Sequence, residues 1–193
     1  MKNFNKKDLF TIPNLIGYLR ILLIPVFCWL YIRAETPQDY LWATGVVLFS
    51  SFTDLFDGMI ARKFNQVTEL GKILDPVADK LTHGAMAFCL LTRYPLMWAL
   101  VALMVLKEGY MAIMGIRSLK KGSMMDGAMW YGKICTASLF AGMVVLFFFY
   151  EMDALWANLL IGLLMGIMLI TFFMYIRFYH RRKKEAGDSS KPI

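Results

Sequence analysis

Cysteine is scarce in this chain. Its 193 residues include three, and Cys28, Cys89 and Cys135 all fall inside apolar stretches, so no disulfide framework is indicated. Charge is thin as well: 18 % of residues are charged against 59 % hydrophobic, where soluble domains usually hold ~45–50 % apolar residues. A soluble domain of this length could not hide so much apolar surface, and the same figures exclude intrinsic disorder. A secretory leader pattern is missing, because 1–11 is too polar for an apolar leader core. Internal repeats are missing too. The two halves do not mirror each other, which argues against an inverted-repeat transporter.

What is present is an alternation of long apolar runs and short basic breaks. A bilayer core needs ~20 apolar residues per helix, and six runs qualify: 14–33, 39–61, 74–92, 95–119, 127–150 and 153–177. The expected fold is therefore an all-α integral membrane protein of six transmembrane helices. One membrane domain would cover 1–185, followed by a disordered tail over 186–193. Residues 1–11 could form an interfacial segment, with Phe4, Leu9 and Phe10 in lipid and Lys6 and Lys7 near head groups. The net charge of +7 sits in the breaks and tail rather than on a soluble face, so an anionic membrane surface, not nucleic acid, is the expected partner. Lys2, Lys6, Lys7, Arg62, Lys63, Lys72, Arg117, Lys120, Lys121 and the basic tail would share one side, against Arg33 and Arg93 on the other. The positive-inside rule then puts both termini in the cytoplasm.

The second and third runs are interrupted by carboxylates. Asp54 and Asp57 are spaced i, i+3 at one helix end, and Asp75 and Asp79 are spaced i, i+4 at the start of the next, so each pair shares a face. A short loop joins the two helices, which makes them expected antiparallel neighbours with converging acidic faces. Four such carboxylates cannot stay ionised together without counter-charge, and each is expensive at membrane depth. Hard divalent cations resolve this, since all-oxygen ligation suits Mg²⁺ or Mn²⁺. Two ions sharing carboxylates are a common device for displacement at phosphorus. Gly58 and Gly71 would let a phosphate approach the backbone, and Arg62 offers a fork for its oxygens. The residues thus point to a two-metal phosphoryl-transfer site at the cytoplasmic interface, entered sideways by a lipid. The plainer alternative has the aspartates capping helices and balancing Arg62, Lys63, Lys72 and Lys80.

The motif Asp54-x2-Asp57-Gly58-x2-Ala61-Arg62-x8-Gly71-x3-Asp75-x3-Asp79 resembles the signature of the CDP-alcohol phosphatidyltransferases at all eight fixed positions. At a background of ~5 % per position, chance agreement is negligible. The opening Ile12-Pro13-Asn14-Leu15 with Arg20-Ile21-Leu22-Leu23-Ile24-Pro25 is similar to bacterial phosphatidylglycerophosphate synthases and to the cardiolipin synthases of this superfamily. So are Leu74 to Lys80 and Gly132-Lys133-x2-Thr136. The resemblance implies transfer of a phosphatidyl group from CDP-diacylglycerol to an alcohol, with release of CMP. It assigns Asp54, Asp57 and Asp75 to one metal, Asp54, Asp75 and Asp79 to another, and the general base to Asp79. Asn14, Gly58, Arg62, Thr68 and Gly71 fall where the family contacts the CDP moiety. A homodimer in a bacterial cell membrane, with its active site facing the cytoplasm, is implied as well.

The acceptor is less sharply marked. Lys107, Glu108, Arg117 and Lys133 are ionisable groups in or near the fourth and fifth runs, and such groups are functional candidates. They could equally neutralise one another. Members that use glycerol phosphate usually carry Ala-Arg-Glu in the fourth span and an arginine seven residues later. Here Leu106-Lys107-Glu108 stands instead, and Arg117 follows Glu108 by nine residues. Lysine holds phosphate as a point charge, without a bidentate fork. Gly132-Lys133 with Thr136 tips the balance to glycerol 3-phosphate as acceptor, held by Lys107, Arg117 and Lys133, with phosphatidylglycerol and cardiolipin synthesis as the alternative. From another class, a metal- or proton-coupled transporter would need carboxylates near the bilayer midplane, whereas these lie at one interface. His83, one turn after Asp79, either faces the site or packs as a neutral ring.

Overall fold

The computed structural model describes residues 11–63, 68, 70–120 and 129–188, with side chains except at 12–13, 54–63, 72–73, 119–120 and 182–188. The expected interfacial segment over 1–10, the loop 121–128 and the end 189–193 lie outside the described residues. Among the described residues six helices follow one another: α1 (Ile12–Ile32), α2 (Pro37–Lys63), α3 (Gly71–Leu91), α4 (Met97–Lys120), α5 (Trp130–Phe148) and α6 (Ala154–Asp188). Among the described residues there is no strand. Their bounds lie within three residues of the apolar runs, except that α6 continues from 177 to Asp188. Four stretches, Asn14–Ile32, Met97–Ser118, Trp130–Phe148 and Ala154–Arg181, are long and apolar enough to cross a membrane. Large apolar side chains such as Leu22, Trp42, Phe52, Trp98, Val105, Trp156 and Phe173 are exposed, as lipid-facing helices require. The chain is an all-α membrane protein.

Local chemistry sets the helix ends. Pro13 occupies the first turn of α1, where its missing N–H is harmless. At the start of α2, Thr36 and Asp39 form a reciprocal cap. The Asp39 carboxylate accepts the Thr36 N–H at 2.9 Å, and the Thr36 hydroxyl accepts the Asp39 N–H at 3.4 Å, with Pro37 between them. Within the helices, hydroxyl side chains bond to carbonyls one turn back: Thr44 to Tyr40, Ser51 to Val47, Thr82 to Ala78, Thr171 to Ile167. That satisfies them without water.

The chain forms two compact units, one of 1–93 with 143–152 and one of 94–142 with 153–193. In the first, α1 packs against both α2 and α3. The acidic end of α2, where its pairing with α3 is expected, has its side chains outside the described residues. Gly17 explains the approach to α3, since a Cβ there would lie 2.7 Å from Leu74 Cδ2. Asn14 meets Gly71, Gly17 meets Leu74, and Arg20 meets Asp79, so α1 and α3 run parallel in register. Farther along the same pair, Cys28 faces Cys89. Toward that end Phe27, Tyr31 and Phe147 pack together, Tyr40 stacks on Tyr150 at 4.5 Å, and the Arg93 guanidinium lies 5.5 and 5.4 Å from the two rings.

In the second unit α4 packs on α6, with Tyr110 against Phe172 and Tyr179. Gly142 admits Leu164 of α6, whose Cδ1 would lie 2.6 Å from an added Cβ.

Candidate functional site

Asp75 and Asp79 stand one turn apart in the first half of α3. Both face α1: Asp75 Oδ1 lies 3.9 Å from the position a Cβ would take at Gly17, and Asp79 is ion-paired with Arg20 of α1. Arg20 Nη2 donates to Asp79 Oδ1. The arginine side chain is 4 % exposed and the aspartate 46 %. The guanidinium therefore reaches the carboxylate from inside the protein, and the other side of the carboxylate is open. His83 lies one turn farther on, where its Nδ1 donates to the Asp79 carbonyl at 2.7 Å. That bond fixes the ring on its own helix.

Next to the acidic pair sits a hydrogen-bonded cluster that joins the starts of α1 and α3. Asn14 is buried. Its Oδ1 accepts from the Thr68 hydroxyl at 3.1 Å, and the same hydroxyl accepts the Gly71 N–H at 2.9 Å. Thr68 thus satisfies the first N–H of α3. A Cβ at Gly71 would lie 2.9 Å from Asn14 Oδ1 and 3.1 Å from Thr68 Oγ1, so only glycine fits without displacing them. Three of the five expected donor-site residues, Asn14, Thr68 and Gly71, are brought together. The other two, Gly58 and Arg62, belong to α2 with Asp54 and Asp57, and the side chains of all four lie outside the described residues.

The expected acceptor residues fall in the second unit. Lys107 is buried and donates from Nζ to Glu108 Oε1 at 3.0 Å. The ionisable pair of α4 is therefore mutually neutralising. Arg117 is exposed on the same helix, ~15 Å farther along it at 1.5 Å per residue. Lys133 is exposed on α5. The motif around Lys133 has a packing role. An added Cβ at Gly132 would collide with the Tyr175 hydroxyl, and the Thr136 hydroxyl bonds back to the Gly132 carbonyl at 3.1 Å.

Sequence reasoning counted Arg20 only as part of an opening motif and missed its place at the site. The signal was available: Arg20 is the one Asp, Glu, Lys or Arg between 14 and 32, and a charge in an apolar span needs a partner. Among the described residues no cluster of three or more metal-ligating side chains is complete. Asp75 and Asp79 nonetheless present only carboxylate oxygens on one face, the donor chemistry that hard divalent ions take.

Fold and site together define a membrane-embedded helical protein with an acidic, oxygen-rich centre near the start of α3. Residues 10–176 match the family model described as CDP-alcohol phosphatidyltransferase, and the chain belongs to that family. It is 44 % identical over 73 residues to a cardiolipin synthase (CMP-forming) of Streptomyces coelicolor, covering 37 % of this chain and 34 % of that one. It is also 41 % identical over 88 residues to a CDP-diacylglycerol–glycerol-3-phosphate 3-phosphatidyltransferase of Pseudomonas fluorescens, covering 46 % and 45 %. A protein of the latter name from Aquifex aeolicus is 45 % identical over 71 residues, covering 37 % and 38 %. The match thus spans less than half the length of each of these relatives.

Proposed function

We propose that this chain transfers the phosphatidyl group of CDP-diacylglycerol to glycerol 3-phosphate, forming phosphatidylglycerophosphate and CMP. The observation that carries the reading is the pair Asp75 and Asp79, set on one face of α3 beside the Asn14–Thr68–Gly71 cluster, in a chain of this family. Asp79 takes the proton of the acceptor hydroxyl. That oxygen bonds to the phosphatidyl phosphorus as the bond from phosphorus to the CMP oxygen breaks, and CMP leaves with both electrons. The open side of the Asp79 carboxylate is where a hydroxyl can come within hydrogen-bond reach. No serine, cysteine or histidine nucleophile is needed, and the His83 Nδ1 is already engaged by the Asp79 carbonyl.

Asp54, Asp57, Asp75 and Asp79 would hold two Mg²⁺ or Mn²⁺ ions, which when bound neutralise the diphosphate and the charge on leaving CMP. Asn14, Gly58, Arg62, Thr68 and Gly71 hold the CDP moiety. Lys107, Arg117 and Lys133 receive the acceptor phosphate. On the positive-inside reading of the basic loops, both termini and the site lie on the cytoplasmic side of a bacterial membrane, and the family resemblance supports a homodimer.

Two observations favour a second reading, cardiolipin synthesis with phosphatidylglycerol as acceptor. One is the similarity to the Streptomyces protein of that name. The other is the neutralisation of Lys107 by Glu108, which suits a less charged acceptor. One experiment decides. Purified protein in detergent receives CDP-diacylglycerol and Mg²⁺ or Mn²⁺ with each acceptor separately, and the lipid product is identified by mass. Phosphatidylglycerophosphate supports the first reading and cardiolipin the second. CMP release with neither acceptor would overturn both.

A further inference from the structure

Among the described residues one buried charge has no part in the proposed reaction. Arg20 is the only Asp, Glu, Lys or Arg in the apolar stretch 14–32, and it is buried. Its position ~12 Å along α1 matches that of Asp79 along α3, counting 1.5 Å per residue from each helix start. The two helices run parallel in register, and Gly17 permits their close approach. An arginine at this depth is expensive unless paired, and a partner it has among the described residues is the carboxylate assigned as base.

We propose that Arg20 is a positioning residue: it holds one oxygen of Asp79 from within the protein, turns the other outward, and restrains divalent-cation affinity at the acidic pair. The inference rests on the proposed function for its consequence in turnover, but not for its consequence in metal binding. The physical argument has two parts. First, the guanidinium donates to Oδ1, which fixes the carboxylate about its last torsion and leaves the exposed side for a ligand. A base held in one orientation reacts faster than one that must find it. Second, a buried unit positive charge beside Asp79, with Asp75 one turn away, opposes a divalent cation approaching the same oxygens. Removing the guanidinium leaves two carboxylates short of counter-charge, and they should then take a cation more strongly. A residue that merely held the helices together would do the reverse: its loss would loosen the pair and weaken metal binding.

The test uses the full-length protein in detergent. Mn²⁺ binding is followed by the electron paramagnetic resonance signal of the free ion, without any lipid substrate. Turnover is followed separately as CMP release at saturating Mn²⁺. Arg20→Met should bind Mn²⁺ about tenfold more tightly or better. It should turn over about tenfold more slowly or worse, with the donor KM nearly unchanged. Arg20→Lys keeps the charge and should return Mn²⁺ affinity to the wild-type value while restoring part of kcat. If Arg20→Met does not fold, Arg20→Gln is read in its place, with the same expectation. Unchanged or weaker Mn²⁺ binding in the neutral variant overturns the proposal, as does an undiminished kcat. Failure of both neutral variants to fold makes Arg20 a structural counter-charge and overturns it as well. Wild-type protein that binds no Mn²⁺ overturns the restraint on metal. If wild-type protein transfers to no acceptor yet Arg20→Met still tightens Mn²⁺, the proposed function falls and the metal restraint stands.

Discussion

Replacing Thr68 with valine removes one oxygen and keeps the shape, so its effects can be worked from two bonds. The hydroxyl accepts the Gly71 N–H at 2.9 Å and donates to Asn14 Oδ1 at 3.1 Å. Loss of the first leaves the first N–H of α3 without its acceptor, worth about 1 kcal/mol. Loss of the second removes a donor from the carbonyl oxygen of a buried asparagine, worth about another 1 kcal/mol. Unfolding in mixed micelles of mild detergent and dodecyl sulfate should therefore show a loss of roughly 2 kcal/mol for Thr68→Val and little change for Thr68→Ser. The bonds are coupled through one oxygen. A double variant with Asn14→Ala should cost less than the two singles summed, by about 1 kcal/mol. Because Asn14 and Thr68 are assigned to the CDP moiety, the donor KM should rise with kcat nearly unchanged. Wild-type stability in Thr68→Val would refute the packing argument. Lost stability with an unmoved donor KM would reduce the cluster to a structural role and remove both residues from the donor site.

Removal of divalent metal by excess chelator should abolish CMP release, and added Mg²⁺ or Mn²⁺ should restore it; full activity in chelator would sink the metal assignment. Asp79→Asn should reduce kcat by about 10²-fold or more, the scale of a lost general base, while donor binding survives in part. Gly132→Ala should destabilise the protein by about 1–3 kcal/mol, the range for overpacking, because its Cβ would enter the space of the Tyr175 hydroxyl; unchanged unfolding would mean that Tyr175 swings aside freely. Lys107→Ala should raise the acceptor KM about tenfold and leave donor affinity nearly unchanged, the pattern of lost uniform binding, and a penalty on the donor side alone would remove Lys107 from the acceptor site.

The helices were legible because lipid imposes one simple demand, a long apolar run, and the runs bounded five of the six helices to within three residues at each end. The sixth outran its apolar stretch. Arg177 to Asp188 is not apolar, but arginine, lysine, glutamate and alanine are good helix formers, so the hydrogen-bond ladder continues where the hydropathy stops. The acidic pair of α3 was legible for a similar reason, since helical spacing alone puts Asp75 and Asp79 on one face. What spacing could not reveal is which helix that face meets. The chain brings α1 within close backbone distance of α3, and a side chain that is absent, at Gly17, permits it. The partner of Asp79 lies 59 residues upstream, beyond the reach of any periodicity argument.

Among the described residues each unit contains one buried basic residue, and the two are neutralised in different ways. Arg20 is met across a helix boundary, and its pairing depends on the fold. Lys107 is met by its own neighbour in sequence, Glu108, whose side chain is 38 % exposed. Adjacent helical residues do not share a face, so the lysine must bend its stem toward the glutamate, pairing a buried ammonium with a part-exposed carboxylate. An incoming phosphate with about two negative charges can outbid a single half-solvated carboxylate for that ammonium. A phosphodiester with one charge has less advantage and would have to draw its binding from acyl chains. On the proposed function, the choice of acceptor would turn on whether Lys107 leaves Glu108, a contest between two anions of different charge for one buried cation, whereas the contacts among the proposed donor residues Asn14, Thr68 and Gly71 are already made in the fold.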